Sequence, residues 1–141
     1  MISQLNLEQV TAFVADDPVR PHISYADRTR TGCVVNVLEE ENQVKAIICT
    51  ALCTEVPTNE QQLKEFTSPT GDILVAYTVW SYSKGSGRTI INELRSAADV
   101  ENISRIVTLS PLTEMAERFH LRNGAKLIGK YTDCQNFEYT L

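Results

Sequence analysis

The sequence is poor in the features that announce a function at sight. Lys and Arg number 13 against 18 Asp and Glu, for a net charge of -5, so no overall basic face is available to neutralise phosphate backbones. A general nucleic-acid role is set aside on that ground. No apolar run is long enough for a membrane helix, and no basic-then-apolar leader opens the sequence. The expectation is a cytoplasmic protein with no membrane partner. The 4 cysteines, Cys33, Cys49, Cys53 and Cys134, form no CxxC pair. They are expected to be buried free thiols in a reducing compartment rather than disulfides, and no metal site is expected. What is present is 43% apolar content over 141 residues, enough for one core, so residues 1–141 are read as a single domain with small-molecule chemistry as its default class.

Along the chain, Leu5, Val10, Phe13 and Val14 lie on a short helical pattern whose cap is Asn6 and which Asp16-Asp17-Pro18 ends. Val19–Arg30 has no clean period and reads as a loop or an irregular first strand; His22 within it reads as a surface or structural histidine. Cys33–Leu38 and Val44–Val56 are β-rich runs joined by the polar Glu39–Gln43, which predicts an antiparallel hairpin. Glu60–Phe66 gives one or two helical turns, and Ser68-Pro69-Thr70-Gly71 is a turn. Ile73–Tyr82 is too apolar and β-branched for a half-exposed strand and belongs at the centre of the sheet. Ile106–Leu109 follows as a parallel neighbour after a helical crossover, with Lys126–Tyr131 and Phe137–Leu141 as closing strands.

Two stretches carry candidate chemistry. After the central strand, Ser83-Lys84-Gly85-Ser86-Gly87-Arg88 runs into a helical pattern from Thr89. Small residues at a helix start leave backbone N–H groups free at the positive end of the helix dipole, and Lys84 and Arg88 add charge. Such a loop is a phosphate cradle or, equally, a plain strand-to-helix turn. In Thr108–Ala125, Leu112, Met115, Ala116 and Phe119 recur at i, i+3, i+4 and i+7, which predicts one helix over Pro111–Asn123 with that stripe buried. Ser110 stands at its N-cap position, Pro111 at the first helical position and Gly124 at the left-handed C-cap position. His120 falls on the flank of this helix and is expected to add little packing.

The order helix, hairpin, long central strand, small-residue loop, helix, strand, helix ending in Asn-Gly, strand resembles the GNAT acyltransferase superfamily. The resemblance implies an α/β (α+β) fold, a mixed central sheet flanked by helices. That family's Q/R-x-x-G-x-G/A pattern appears as Tyr82-Ser83-Lys84-Gly85-Ser86-Gly87, with Tyr82 in place of Gln or Arg, and its A-x-x-F-Y-x-x-x-G-F pattern as Ala116, Phe119, His120, Gly124 and Ala125. The resemblance implies that Tyr82–Thr89, that is Tyr82, Ser83, Lys84, Gly85, Ser86, Gly87, Arg88 and Thr89, bind the pyrophosphate of coenzyme A. His120 then stands at the position of a tyrosine general acid. Phe119–Ala125, FHLRNGA, with Leu109-Ser110-Pro111, is similar more narrowly to the catalytic domain of malonyl-CoA decarboxylases, whose active-site serine and histidine lie in LSP and FHLxNGA. Val44–Val56 with Gln61-Gln62-Leu63, and Tyr77–Ser83, echo further segments of that family.

The resemblance thus implies a coenzyme A thioester, acetyl-CoA or malonyl-CoA, as substrate, with no metal. Three functions follow: decarboxylation of a malonyl-type thioester, transfer of acetyl to an amine or a carrier acceptor, or binding without turnover. For the first, strand amides near Thr78, Val79 and Trp80 or an imidazole donor would stabilise the enolate oxygen, and His120, titrating near neutrality, would serve as acid and base. In a continuous helix the ten residues from Ser110 to His120 span about 15 Å. Ser110 is then either the helix cap or a residue lining the coenzyme arm.

Overall fold

The computed structural model describes residues 2–4, 12–99 and 101–141. In chain order the elements are β1 (Ile2–Gln4), α1 (Tyr25–Thr29), β2 (Cys33–Glu40), β3 (Gln43–Cys53), α2 (Glu60–Phe66), β4 (Ile73–Ser81), α3 (Ser86–Asp99), β5 (Arg105–Thr108), β6 (Ser110–Pro111), α4 (Glu114–Arg122), β7 (Lys126–Lys130) and β8 (Cys134–Tyr139). The strands form one sheet in the order β1-β2-β3-β4-β5-β8-β6, with β7 also paired to β8. Most of the N-terminal pattern from Leu5 to Val10, with its cap Asn6, lies outside the described residues. Residues 12–14 are helical. No helix among the described residues is long and apolar enough to cross a membrane.

The hairpin forms where expected. Glu41 and Asn42 both take positive φ, 55° and 62°, the twist-matched geometry of a two-residue turn, and β2 runs antiparallel to β3 from Cys33↔Ala51 to Glu40↔Gln43. Strand β4 is central: β3 pairs on one side antiparallel, and β5 on the other in parallel, reached through α3. Both of its faces are covered. Ile73, Val75 and Tyr77 join one core with Leu63 of α2, while Ala76 joins a second with Ile90, Ile91 and Leu94 of α3.

The strict alternation of β4 breaks once. Thr50 pairs with Ala76 but Cys49 pairs with Thr78, so Tyr77 is the extra residue of a β-bulge. The phase flips there: Val79 packs with the α3 core and Trp80 with the α2 core, the reverse of what the count from Ile73 would give.

Several expectations fail. Val19–Arg30 contains a helical turn, α1, because the Ser24 side chain accepts from the Asp27 amide as an N-cap. The helix over Pro111–Asn123 is shorter: Ser110 and Pro111 pair with Gln135 and Cys134 of β8, and the cap is Thr113, whose side chain accepts from the Ala116 amide. Ser110 therefore caps nothing. The buried face has rotated accordingly, since Leu112 is 45% and Met115 82% exposed, whereas His120 is 5% exposed. Gly124 does take positive φ, 97°, after the helix. The last strand, β8, starts earlier than Phe137, at Cys134.

Candidate functional site

The bulge and the parallel pair together open a cleft. β5 keeps register with β4 only through Ala76↔Thr108, and the Leu109 amide donates to the Ala76 carbonyl at 2.9 Å as the next link. Beyond it β4 continues with β3 as far as Ala46↔Ser81, while the other chain turns into β6 and pairs with β8. Between them lies a cavity of about 520 Å³, lined by Tyr77, Thr78, Val79, Trp80 and Ser81 of β4, by Ser110 and Pro111, by Met115, Ala116, Phe119 and His120 of α4, by Gly87 of α3, and by Pro18 and Val19.

Ser110 and His120 thus meet one cavity, although the sequence separates them by what reads as one helix. The short strand at Ser110–Pro111 replaces the first turn of the helix that the 15 Å separation assumed. Ser110 is 3% exposed, and its hydroxyl shares a 2.8 Å hydrogen bond with that of Thr108, which also accepts from the Phe137 amide at 3.1 Å. His120 packs between the Phe119, Phe137 and Tyr139 rings, with centroids 5.1, 5.2 and 5.8 Å away. Its Nδ1 is 2.7 Å from the Tyr139 hydroxyl. Burial pushes the imidazole down to about 4, so it is neutral at pH 7 and does not titrate near neutrality as expected. Burial likewise raises the Tyr139 phenol. With Nδ1 occupied by Tyr139, Nε2 is the nitrogen left for a ligand.

The small-residue loop sits beside the same cavity. Gly85 has φ 85°, and the Thr89 amide makes the first i→i−4 bond, to the Gly85 carbonyl at 3.2 Å. The amides of Gly87 and Arg88 therefore precede the helical ladder, where an anion would be favoured. Lys84 and Arg88 are exposed. Gly87 has a different reason from the one its place in the pattern suggests. A Cβ there would lie 2.9 Å from Phe119 Cε1 and 3.3 Å from Cζ, so glycine lets α3 approach the α4 ring. Tyr82 is tied elsewhere: its hydroxyl donates to Asp16 at 2.7 Å and accepts from Trp80 Nε1 at 3.0 Å.

The sequence reading missed a buried polar cluster behind the Pro18–Val19 wall. Asp17, Arg20 and Arg28 are 3%, 3% and 0% exposed. Asp17 Oδ1 accepts from the Val19 amide (2.8 Å), the Arg20 amide (3.0 Å) and the Thr78 hydroxyl (2.9 Å), and Oδ2 accepts from Arg28 Nη1 at 2.7 Å. Arg28 also donates to the Arg20 and Ile23 carbonyls. Arg20 donates to Glu60 at 2.8 Å and, through Nη1, to the Tyr77 carbonyl at the bulge. Burial alone would raise Asp17, but its donors, the Arg20 amide and the Arg28 guanidinium first, hold it below the ordinary carboxylate value. The signal in the sequence was charge alternating with proline in a segment without a period. A smaller cavity of about 360 Å³ lies beyond Tyr77, between α1 and α2, with His22 and Glu60 at its edge; His22 is exposed and bonded to Glu60 at 2.9 Å. The 4 cysteines are free thiols, Cys33 only half-buried. Among the described residues no group of three or more His, Cys, Asp or Glu could hold a metal ion.

No family model matches the chain, and no curated protein matches its sequence. Solved structures do. A GNAT-like decarboxylase, GphF, in complex with isobutyryl-CoA superposes with a TM-score of 0.80 at 15% identity, covering 99% of this chain and 98% of that one. The malonyl-CoA decarboxylase of Agrobacterium vitis gives 0.76 at 13% identity over 100% of this chain and 60% of its own length. The aminoglycoside acetyltransferase AAC(6')-Ib with coenzyme A gives 0.73 at 10% identity, covering 99% and 94%. The chain has the GNAT fold, and its structural neighbours include both decarboxylases and acetyltransferases.

Proposed function

Starting from that fold, we propose that the chain binds an acyl-CoA thioester, with the pyrophosphate on the loop Ser83–Thr89 and the acyl end in the cleft, and that it decarboxylates a malonyl-type thioester. The observation that carries this reading is that Ser110 and His120 line one cavity, as the LSP and FHLxNGA segments of the decarboxylases would require. The cavity also reaches Gly87 at the start of α3, next to the free amides where a phosphate would be held.

The chemistry asks little of the protein. The bond from the α-carbon to the carboxylate breaks, its electron pair passes to the thioester carbonyl, carbon dioxide leaves, and the resulting enolate takes a proton from water at carbon to give the shortened acyl-CoA. The catalyst must stabilise negative charge on the thioester oxygen. A neutral His120 suits this as a donor through Nε2, with the Tyr139 hydroxyl fixing the tautomer by donating to Nδ1. Ser110 is the second donor, its own oxygen accepting from Thr108. An imidazolium acid is not part of this reading, since burial disfavours the charged ring.

The test is to incubate the protein with malonyl-CoA and with acetyl-CoA plus a panel of amines, following products by mass. Conversion of malonyl-CoA to acetyl-CoA with release of carbon dioxide is expected. Thiol release that depends on an amine would instead favour an N-acetyltransferase, and tight binding without either product would favour a coenzyme-binding module.

A further inference from the structure

The wall of the cleft formed by Pro18 and Val19 belongs to a segment with no regular structure, yet it is held to the sheet by buried polar bonds that converge on one carboxylate. Asp17 Oδ1 accepts both from the amides of that segment, at Val19 and Arg20, and from the Thr78 hydroxyl on β4. The neighbouring Arg20 guanidinium takes the carbonyl of the bulged Tyr77. Arg28, entirely buried, neutralises Asp17 and holds the Arg20 carbonyl at 2.6 Å. Pro18, Val19, Tyr77 and Thr78 all line the cavity, so both pieces of wall are fixed through Asp17 and its donors. A buried carboxylate satisfied by four donors resists displacement of its partners, because any displacement leaves a buried group unpaired.

We propose that Asp17 is a positioning residue that sets the width of the acyl end of the cleft, and so selects among acyl groups by bulk, by locking the Pro18–Val19 segment to Thr78 and the Tyr77 bulge. This rests on the reading that the cleft takes the acyl end of a coenzyme A thioester. Asp17 itself touches no substrate. Its function is to keep a wall that has no strand or helix of its own as stiff as the sheet.

The test uses the full chain and reads selectivity rather than stability. Titration calorimetry gives Kd for free coenzyme A, acetyl-CoA and isobutyryl-CoA with wild type, Thr78→Val and Asp17→Asn. Thr78→Val removes one bond to Asp17 and keeps the side-chain shape, so it remains informative if Asp17→Asn does not fold. Free coenzyme A should bind folded Asp17→Asn within about twofold of wild type, since on the proposed reading its phosphates sit on the α3 loop, away from Asp17. The ratio of the acetyl-CoA to isobutyryl-CoA affinities should shift by about tenfold, the size of a one-methylene discrimination in an apolar pocket. An unchanged ratio in folded Thr78→Val would overturn the positioning role. Wild type that binds thioesters with a clear acyl preference but turns none over would remove the decarboxylase reading and leave this one standing. Failure of wild type to bind any of the three would overturn both.

Discussion

Replacing His120 with Phe should change how stability depends on pH, and the size of the change follows from the burial of the ring. In the folded protein the imidazole lies at about 4, against an ordinary value of 6.5. Between those values the unfolded chain holds a proton that the folded one does not, so stability rises with pH across the interval. The contribution is fully present above 6.5 and is lost as pH falls towards 4. At pH 5 the loss relative to pH 7 is about 2 kcal/mol, and the full interval is worth on the order of 3 kcal/mol. Phe fills the site among Phe119, Phe137 and Tyr139 without a titrating group, at a constant cost for leaving the Tyr139 hydroxyl unpaired. Carboxylates that lose stability in acid, Asp17 and Glu138 among them, do so in both proteins and cancel in the difference. Urea unfolding of wild type and His120→Phe between pH 7.5 and about 4.5, fitted with a common m-value, measures that difference directly. Wild type should lose about 2 kcal/mol more than the variant by pH 5. Parallel stability curves would mean that the ring titrates in the fold as it does in the unfolded chain, and the argument that burial holds it neutral would fail.

Other outcomes follow from the same geometry. Gly87→Ala gains about 1 kcal/mol of helix propensity but drives its methyl against Phe119, so thermal stability should change little while coenzyme A thioester binding weakens as the ring is pushed into the cleft; unchanged Kd would contradict this. Ser110→Ala should keep the fold within about 1 kcal/mol, because Thr108 still accepts from the Phe137 amide, and should lower malonyl-CoA turnover by about 100-fold in a steady-state assay. Arg28→Met strands the Asp17 carboxylate in the core and should cost about 3–5 kcal/mol in denaturant unfolding. Amide exchange should be slowest along Ile73–Ala76, where β4 is bonded on both sides, and faster from Thr78 onward, where one edge faces the cleft.

How far the sequence disclosed this depends on whether the signal was local. The hairpin, the central strand and the parallel crossover were legible because apolar runs of Val, Ile and Leu with turn residues between them have few alternatives. The helix after Ser110 was misread because Pro111 suits the first turn of a helix and a short strand alike. The choice was made by β8, 24 residues on, which offers Gln135 and Cys134 as partners. The apolar spacing of Leu112, Met115, Ala116 and Phe119 described a helix correctly and its buried side wrongly, since Leu112 and Met115 are exposed while His120 is buried at the cleft wall. The bulge at Tyr77 has no mark in its own sequence. It arises from the register against β3, and the arginine that takes its carbonyl lies 57 residues earlier. The Asp17–Arg28 pair was invisible for the same reason: nothing local says that an arginine will be buried.

The place of β8 in the sheet has a consequence for synthesis. It is made after β5, β6 and β7, yet it enters between them and pairs with all three. A nascent chain that ends before Cys134 can close β1 to β4 and dock α3, but β6 then has no partner, Thr108 lacks the Phe137 amide and His120 lacks Tyr139. The hairpin half is therefore able to fold while the chain is still being extended, whereas the half that carries Ser110 and His120 waits for β8. Pulse proteolysis of stalled chains would show this as two steps, with the second appearing only when Tyr139 has cleared the ribosome tunnel.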